Sequence, residues 1–255
     1  MSCLYDAAGK TSWITVIEEY STRTLLLDGC EEGAMNLHSE EPVFAYLWFH
    51  KCSYLAEKPI KKALVLGAGA FTAAKCLALD HPQADIDAVD LEPDLEDVAR
   101  KFFRVDRSEF SRIYFHGMPA DNFLRSVPST SYDFIFDDLF DGFQHVPEEA
   151  LSADHLRQLR SAIAPGGICV KNMIWDPRSS SNRTACEELE KHWKETLPNH
   201  LIFAMGKPEQ GHNFLLLGSK QKVGFLLSAV RAGLRAEGIP TSILDALHLR
   251  DEVRS

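Results

Sequence analysis

The most constraining feature of this chain begins at Lys61, where short continuous apolar runs start to alternate with stretches of helical periodicity. Strands are expected at 63–66, 86–90, 113–116, Tyr132–Asp137 and 168–171, with helices at 71–79, 95–103 and 154–164. Strands separated by helices of this length form βαβ units, hence a mainly parallel sheet covered on both faces. The runs 201–205 and 214–218 flank a polar Gly/Pro loop too short for a crossover helix, so these two should pair antiparallel. Ahead of this region, apolar runs at 13–17 and 24–27, the second ending in Asp28-Gly29, read as a small antiparallel meander. Residues 43–55 follow as a helix entered at Glu41-Pro42, and two helices, 223–237 and 242–249, are expected after Lys220. The organisation is thus a β-meander with its following helix over 1–56, an α/β domain over 57–220 and a helical extension over 221–255.

Charge narrows the function. The 37 acidic and 27 basic residues give a net charge of −10, the reverse of what phosphate neutralisation needs, so no nucleic-acid partner is expected. No apolar run reaches membrane-spanning length and no secretory leader pattern opens the chain, so no membrane partner is expected either. Six cysteines without a CxxC pair read as the reduced thiols of a cytoplasmic protein. Ten histidines without HExxH or HxH spacing nominate no metal site.

Two groups of residues carry chemistry. Gly67-Ala68-Gly69 follows the first parallel strand and opens a helix, which lets a ligand approach the backbone and the helix start closely. Asp90, with Leu91 beside it, ends the next strand where a carboxylate meets ribose hydroxyls. Thr72 stands where a dinucleotide fingerprint has its third glycine, which favours a mononucleoside over NAD; an unliganded structural turn is the alternative. The second group is the run from Tyr132 through Asp137, Asp138 and Asp141. It falls at the same sheet edge, as a carboxylate pair for a cationic group or as a solvated acidic turn. His145 just beyond reads as a surface histidine or as a proton shuttle, and Trp175 after the fifth strand as a wall of an acceptor pocket or as ordinary packing.

Taken in order, Leu-Leu-Leu-Asp-Gly, the helix with Tyr46, Leu-Val-Leu-Gly-Ala-Gly, Ala-Val-Asp-Leu-Glu and Tyr-Asp-Phe-Ile-Phe-Asp-Asp-Leu-Phe-Asp resemble the spermidine synthases over roughly residues 12–218. The resemblance implies a Rossmann-like class I S-adenosylmethionine-dependent transferase fold, with a mostly parallel sheet, an antiparallel terminal strand and the N-terminal β-meander. It also implies that Asp90 holds the donor ribose, with Gly67, Ala68, Gly69, Leu91, Gly117 and Met118 around the donor. Asp138 and Asp141 would be catalytic, binding and deprotonating an amine, and Tyr46, Trp48, His145 and Trp175 would line the acceptor side. The family's donor-gripping Asp is Ala70 here, its Tyr-(His or Gln)-Glu run is Tyr46-Leu47-Trp48, and its adenine-side Gly-Asp is Gly117-Met118. The expected activity is transfer of an aminopropyl, 3-amino-3-carboxypropyl or methyl group to an amine. The donor is S-adenosylmethionine or its decarboxylated form, no metal takes part, and the acceptor is a small molecule or peptide rather than putrescine. A homodimer is a further expectation, and a non-catalytic nucleoside-binding module the alternative.

Overall fold

The computed structural model describes residues 1–140, 146–206, 211–220 and 226–249. The N-terminal β-structure is a four-stranded antiparallel sheet, β1 (Ser2–Ala8), β2 (Trp13–Glu19), β3 (Thr22–Leu27) and β4 (Cys30–Asn36), paired in chain order. The sequence reading found only its two middle strands. β1 alternates exposed with half-buried residues, and β4 is Glu- and Gly-containing, so neither shows a full apolar period. β3 pairs with β4 through a bulge: Leu25 faces Gly33 and Leu26 faces Glu31, which leaves Glu32 as the extra residue.

Ala45–Leu55 winds as a 3-10 helix rather than an α-helix. The tighter winding aligns every third residue, and Leu47, His50 and Ser53 form one buried column beside Phe49 and Cys52. Tyr46 and Trp48, two positions apart, leave it in different directions.

The central region runs β5 (Lys62–Leu66), α1 (Thr72–Asp80), β6 (Asp85–Asp90), α2 (Leu95–Phe102), β7 (Ile113–Gly117), α3 (Ala120–Ser126) and β8 (Tyr132–Asp137). It continues with α4 (Glu148–Leu151), α5 (Ala153–Ala162), β9 (Ile163–Trp175), α6 (Ser180–Thr196), β10 (Asn199–Met205) and β11 (His212–Ser219). The chain then adds α7 (Leu227–Ala236), α8 (Thr241–Asp245) and β12 (Leu247–Leu249). The eight-stranded sheet has the order β12-β10-β11-β9-β8-β5-β6-β7. Strands β5 to β9 pair parallel, whereas β11 lies antiparallel between β9 and β10, as the short loop between 205 and 212 requires. One expectation fails at the C-terminal end: 247–249 is an edge strand paired with β10, not helix. Helix α6, absent from the expected set, buries only Cys186, Leu189, Glu190 and Trp193 of its 17 residues.

Apolar residues on the two faces of the sheet form two cores. One, with Val65, Ala88, Phe134 and Phe136, continues through Phe71 and Leu47 into Ile14 and Leu25 of the N-terminal sheet. The other, with Leu64, Tyr132 and Ile135, packs under α5 and α6. The β1–β2 turn is held from across the molecule by Glu92, which is 1% exposed. Its carboxylate accepts from the backbone N–H groups of Lys10, Thr11 and Ser12 at 3.1, 2.6 and 2.9 Å and from the Thr11 hydroxyl at 2.9 Å. Among the described residues no helix is long and apolar enough to cross a membrane.

Candidate functional site

The glycine turn is tied to the end of β6. Gly67 and Ala68 both donate backbone N–H groups to the Val89 carbonyl, at 2.9 and 3.1 Å. Gly69 donates to Asp90 Oδ2 at 3.0 Å and Glu92 to Asp90 Oδ1 at 3.2 Å. Burial raises the Asp90 pKa, and backbone donors from Gly69, Glu92, Ala68 and Leu91 pull in the opposite direction without cancelling it. A carboxylate with about four lone-pair sites keeps acceptor capacity for two vicinal hydroxyls.

Asp137 and Asp138 straddle the end of β8 and face opposite ways, as neighbours on extended chain do. Asp137 is 0% exposed and turns under the sheet to His155. Asp138 turns into a cavity of about 280 Å³ walled by Glu31, Glu32, Phe44, Tyr46, Gly67, Gly69, Asp90, Phe140, Asn172, Ile174 and Asn213, among others. Asn172 Nδ2 donates to Asp138 Oδ1 at 2.8 Å, and Asn213 Nδ2 supports Asn172 Oδ1 at 3.1 Å. The Tyr46 hydroxyl is directed at the same carboxylate. Burial pushes the Asp138 carboxyl up to about 6, against the opposing pull of Asn172 and Tyr46. The same burial and the adjacent charge hold the Tyr46 phenol well above its ordinary value.

A second cavity, about 490 Å³, shares Gly67, Asp90 and Phe140 with the first, and it is walled mainly by Leu91, Pro119, Ala120, Leu139, Pro147 and Ala150 with Asp121, Asn122 and Arg125 at its side. The two lie either side of the glycine turn. One is apolar and suited to a flat base; the other is lined with carboxylates and amides and suited to a cation.

The structure therefore gathers Gly67, Gly69, Asp90, Leu91, Asp138 and Tyr46 about one cleft. Ala68 is 5% exposed beneath the turn. Gly117 and Met118 are not among the residues walling either cavity; the next three, Pro119, Ala120 and Asp121, take that place. Trp48 lines a different depression, with Glu40, Lys51 and Asp80. Trp175 packs into the core under α6: with Asn172 and Ile174 facing the cleft, strand parity sends 175 to the other face. Asp141 and His145 lie outside the described residues. Ala70 is 2% exposed, and its Cβ packs over Gly33 of β4, away from the cavity.

Sequence reasoning missed Glu31, Glu32, Asp121, Asn172 and Asn213. The bulge in β4 lets two successive glutamates reach the same cavity, whereas a regular strand would send one away. Among the described residues no cluster of His, Cys, Asp or Glu could hold a metal ion.

No protein-family model matches the chain. It is 23% identical over 152 residues to the polyamine aminopropyltransferase of Vibrio vulnificus (strain CMCP6), a match covering 57% of this chain and half of that enzyme's length. The structure is similar to a probable spermidine synthase from Corynebacterium glutamicum ATCC 13032, with a TM-score of 0.81 and 19% identity over 98% of this chain and 92% of that one. It is also similar to human methyltransferase-like protein 13 in complex with SAH, with a TM-score of 0.61 and 17% identity over 75% of this chain and 89% of the other. The strand order and these likenesses agree on the fold: a mostly parallel, Rossmann-like sheet of the kind found in this probable spermidine synthase and this methyltransferase.

Proposed function

We propose that this protein transfers an alkyl group from the sulfonium of an S-adenosyl donor to an amine. The observation that carries the reading is the pairing of a ribose-type acid, Asp90, with a desolvated cleft carboxylate, Asp138, across one glycine turn. In the transfer, the amine lone pair forms the C–N bond as the C–S bond breaks, and the sulfonium leaves as a neutral thioether. The proton released by the amine goes to Asp138. An ordinary aspartate near 3.9 is poorly matched to an ammonium near 10.4. Burial narrows that gap by bringing Asp138 to about 6, so it is ionised near neutral pH yet takes a proton more readily. Asn172 and Tyr46 orient its carboxylate, while Glu31 and Glu32 make the acceptor side electronegative. Most of the rate comes from holding amine and donor in line in a site with little water.

Ala70 offers no carboxylate to the donor, while Glu32 stands in the cavity wall beside the same turn. Donor choice thus rests on β4 rather than on the glycine run. A thermal-shift panel of S-adenosylmethionine, its decarboxylated form, methylthioadenosine and S-adenosylhomocysteine tests the reading. A ligand bound only by the native state adds about 2.7 kcal/mol at a hundredfold excess over Kd. No shift with any of the four refutes donor binding. With an acceptor, S-adenosylhomocysteine as coproduct means methyl transfer, and methylthioadenosine means that the propyl arm moved.

A further inference from the structure

His155, on α5, has no exposed surface, and both of its ring nitrogens meet carboxylates. Nδ1 lies 2.6 Å from Asp121 Oδ1, and Nε2 lies 3.0 Å from Asp137 Oδ2. A neutral imidazole would aim a lone pair at one of those oxygens; only the imidazolium donates both ways. Asp137 Oδ2 also accepts from Lys171 Nζ at 2.8 Å, with both side chains 0% exposed. The second oxygen of Asp137 is buried without a hydrogen-bond partner, so both cations act on one oxygen.

The result is a chain of two carboxylates and two cations with no net charge. It starts at Asp121, on the wall of the base-side cavity, and ends at Lys171, next in sequence to the Asn172 that holds Asp138. The remaining charges around His155 are peripheral. Arg125 of α3 reaches Asp121 Oδ2 at 3.5 Å and Asp154 at 3.4 Å, and Arg157 pairs with Asp154 at 3.0 Å. Glu148 and Glu149 on α4 and Glu188 on α6, the helices packed against α5, are exposed. Burial works against the charged form of His155, but Asp137 and Asp121 outweigh it and hold its pKa above the ordinary value.

Resting on the alkyltransferase reading, we propose that His155 is a positioning residue for Asp138: as a buried imidazolium it neutralises Asp137, and so fixes the pH at which the next carboxyl along the chain releases its proton. Two aspartates in succession at a strand end repel each other, and each uncompensated charge makes the other harder to ionise. Lys171 and His155 both act on Asp137 Oδ2, and His155 also meets Asp121, so removing the imidazolium leaves the set of Asp121, Asp137 and Lys171 with one uncompensated negative charge beside Asp138.

The test needs no ligand. In the full-length protein labelled with 15N-histidine, both His155 ring nitrogens should be protonated at pH 7; a neutral tautomer there overturns the proposal. In H155Q, the Asp138 carboxyl resonance should titrate about one pH unit higher than in the wild type, the size expected for one charge roughly 12 Å away at an effective dielectric near 20. An unchanged or lowered midpoint in folded H155Q overturns it, since a merely structural role would lower the melting temperature without moving that titration. If H155Q fails to fold, D121N at the accessible end of the chain replaces it. It should lower the pH at which His155 loses its proton, and an unaltered His155 titration refutes the proposal. Because these readouts are ligand-free, a wild-type protein that binds no S-adenosyl compound refutes the function proposed above and leaves this result standing.

Discussion

Replacing Gly67 with alanine should cost far more than the same change at Gly29, although both glycines sit at nearly the same backbone angle. Their φ values are +82° and +84°. For any L-residue this left-handed conformation costs about 1–2 kcal/mol. At Gly29 a Cβ would meet nothing within 4 Å, so alanine there pays that term alone. At Gly67 the Cβ would lie 2.8 Å from the Asp138 carbonyl carbon and closer still to its oxygen. That backbone cannot swing aside cheaply, because Asp138 N–H is already committed to the Leu66 carbonyl at 2.8 Å. Overpacking of this kind adds roughly 1–3 kcal/mol. At ~2–4 °C per kcal/mol for a domain of this size, Gly67→Ala should lower the melting temperature by about 4–20 °C and Gly29→Ala by about 2–8 °C. Circular-dichroism melts of the two purified variants make the comparison. Equal losses would mean that β5 and the Asp138 segment are not in contact, and the account of the cleft would fall with it.

Asp138→Asn should stabilise the protein at pH 7. A carboxyl raised from 3.8 to about 6 is comfortable only when protonated, so its contribution is full below pH 4 and is lost as the pH rises through 6. The gain in denaturant melts should be at most about 3 kcal/mol at pH 7 and near zero at pH 4; a loss at pH 7 contradicts the burial argument. Glu92→Gln should do the reverse. Backbone donors and the Thr11 hydroxyl overcome burial and bring Glu92 down to about 2, so its stabilisation exists above pH 4.5 and disappears as the pH falls toward 2. A stability difference independent of pH between 2 and 7 would show that the charge of Glu92 is not what holds the β1–β2 turn. Asp90→Ala should leave a folded protein whose affinity for methylthioadenosine, by isothermal titration, is at least tenfold weaker, since hydrogen bonds to a charged group carry about 1.5–3 kcal/mol; equal affinity removes Asp90 from the ribose site.

What could be read in advance follows from how local each signal is. β8 was legible to the residue, and β6 and α1 to within one, because a buried strand or a helix following a glycine turn writes its own period. Asp90 and Asp138 were legible because strand ends of a parallel sheet gather at one edge. Glu32 was not. Its place depends on a bulge, and a bulge depends on the partner strand. Trp48 and Trp175 looked like pocket walls because large aromatics suit that role, yet their neighbours Tyr46 and Ile174 already occupy the cleft-facing directions. Asn172 and Asn213, on adjacent strands far apart in sequence, meet only once β11 has inserted beside β9.

The contact between Ala70 and Gly33 bears on how such proteins can change. The glycine turn and the N-terminal sheet touch where each has almost no side chain, so neither surface can vary alone. A residue larger than alanine at 70 demands that β4 retreat, and any side chain at 33 pushes on the turn that carries Gly69. Grafting the N-terminal sheet of a relative onto this chain should therefore succeed only when the relative's glycine turn travels with it. Selection acting on the shape of the cleft would see the two segments, some thirty residues apart, as a single heritable unit.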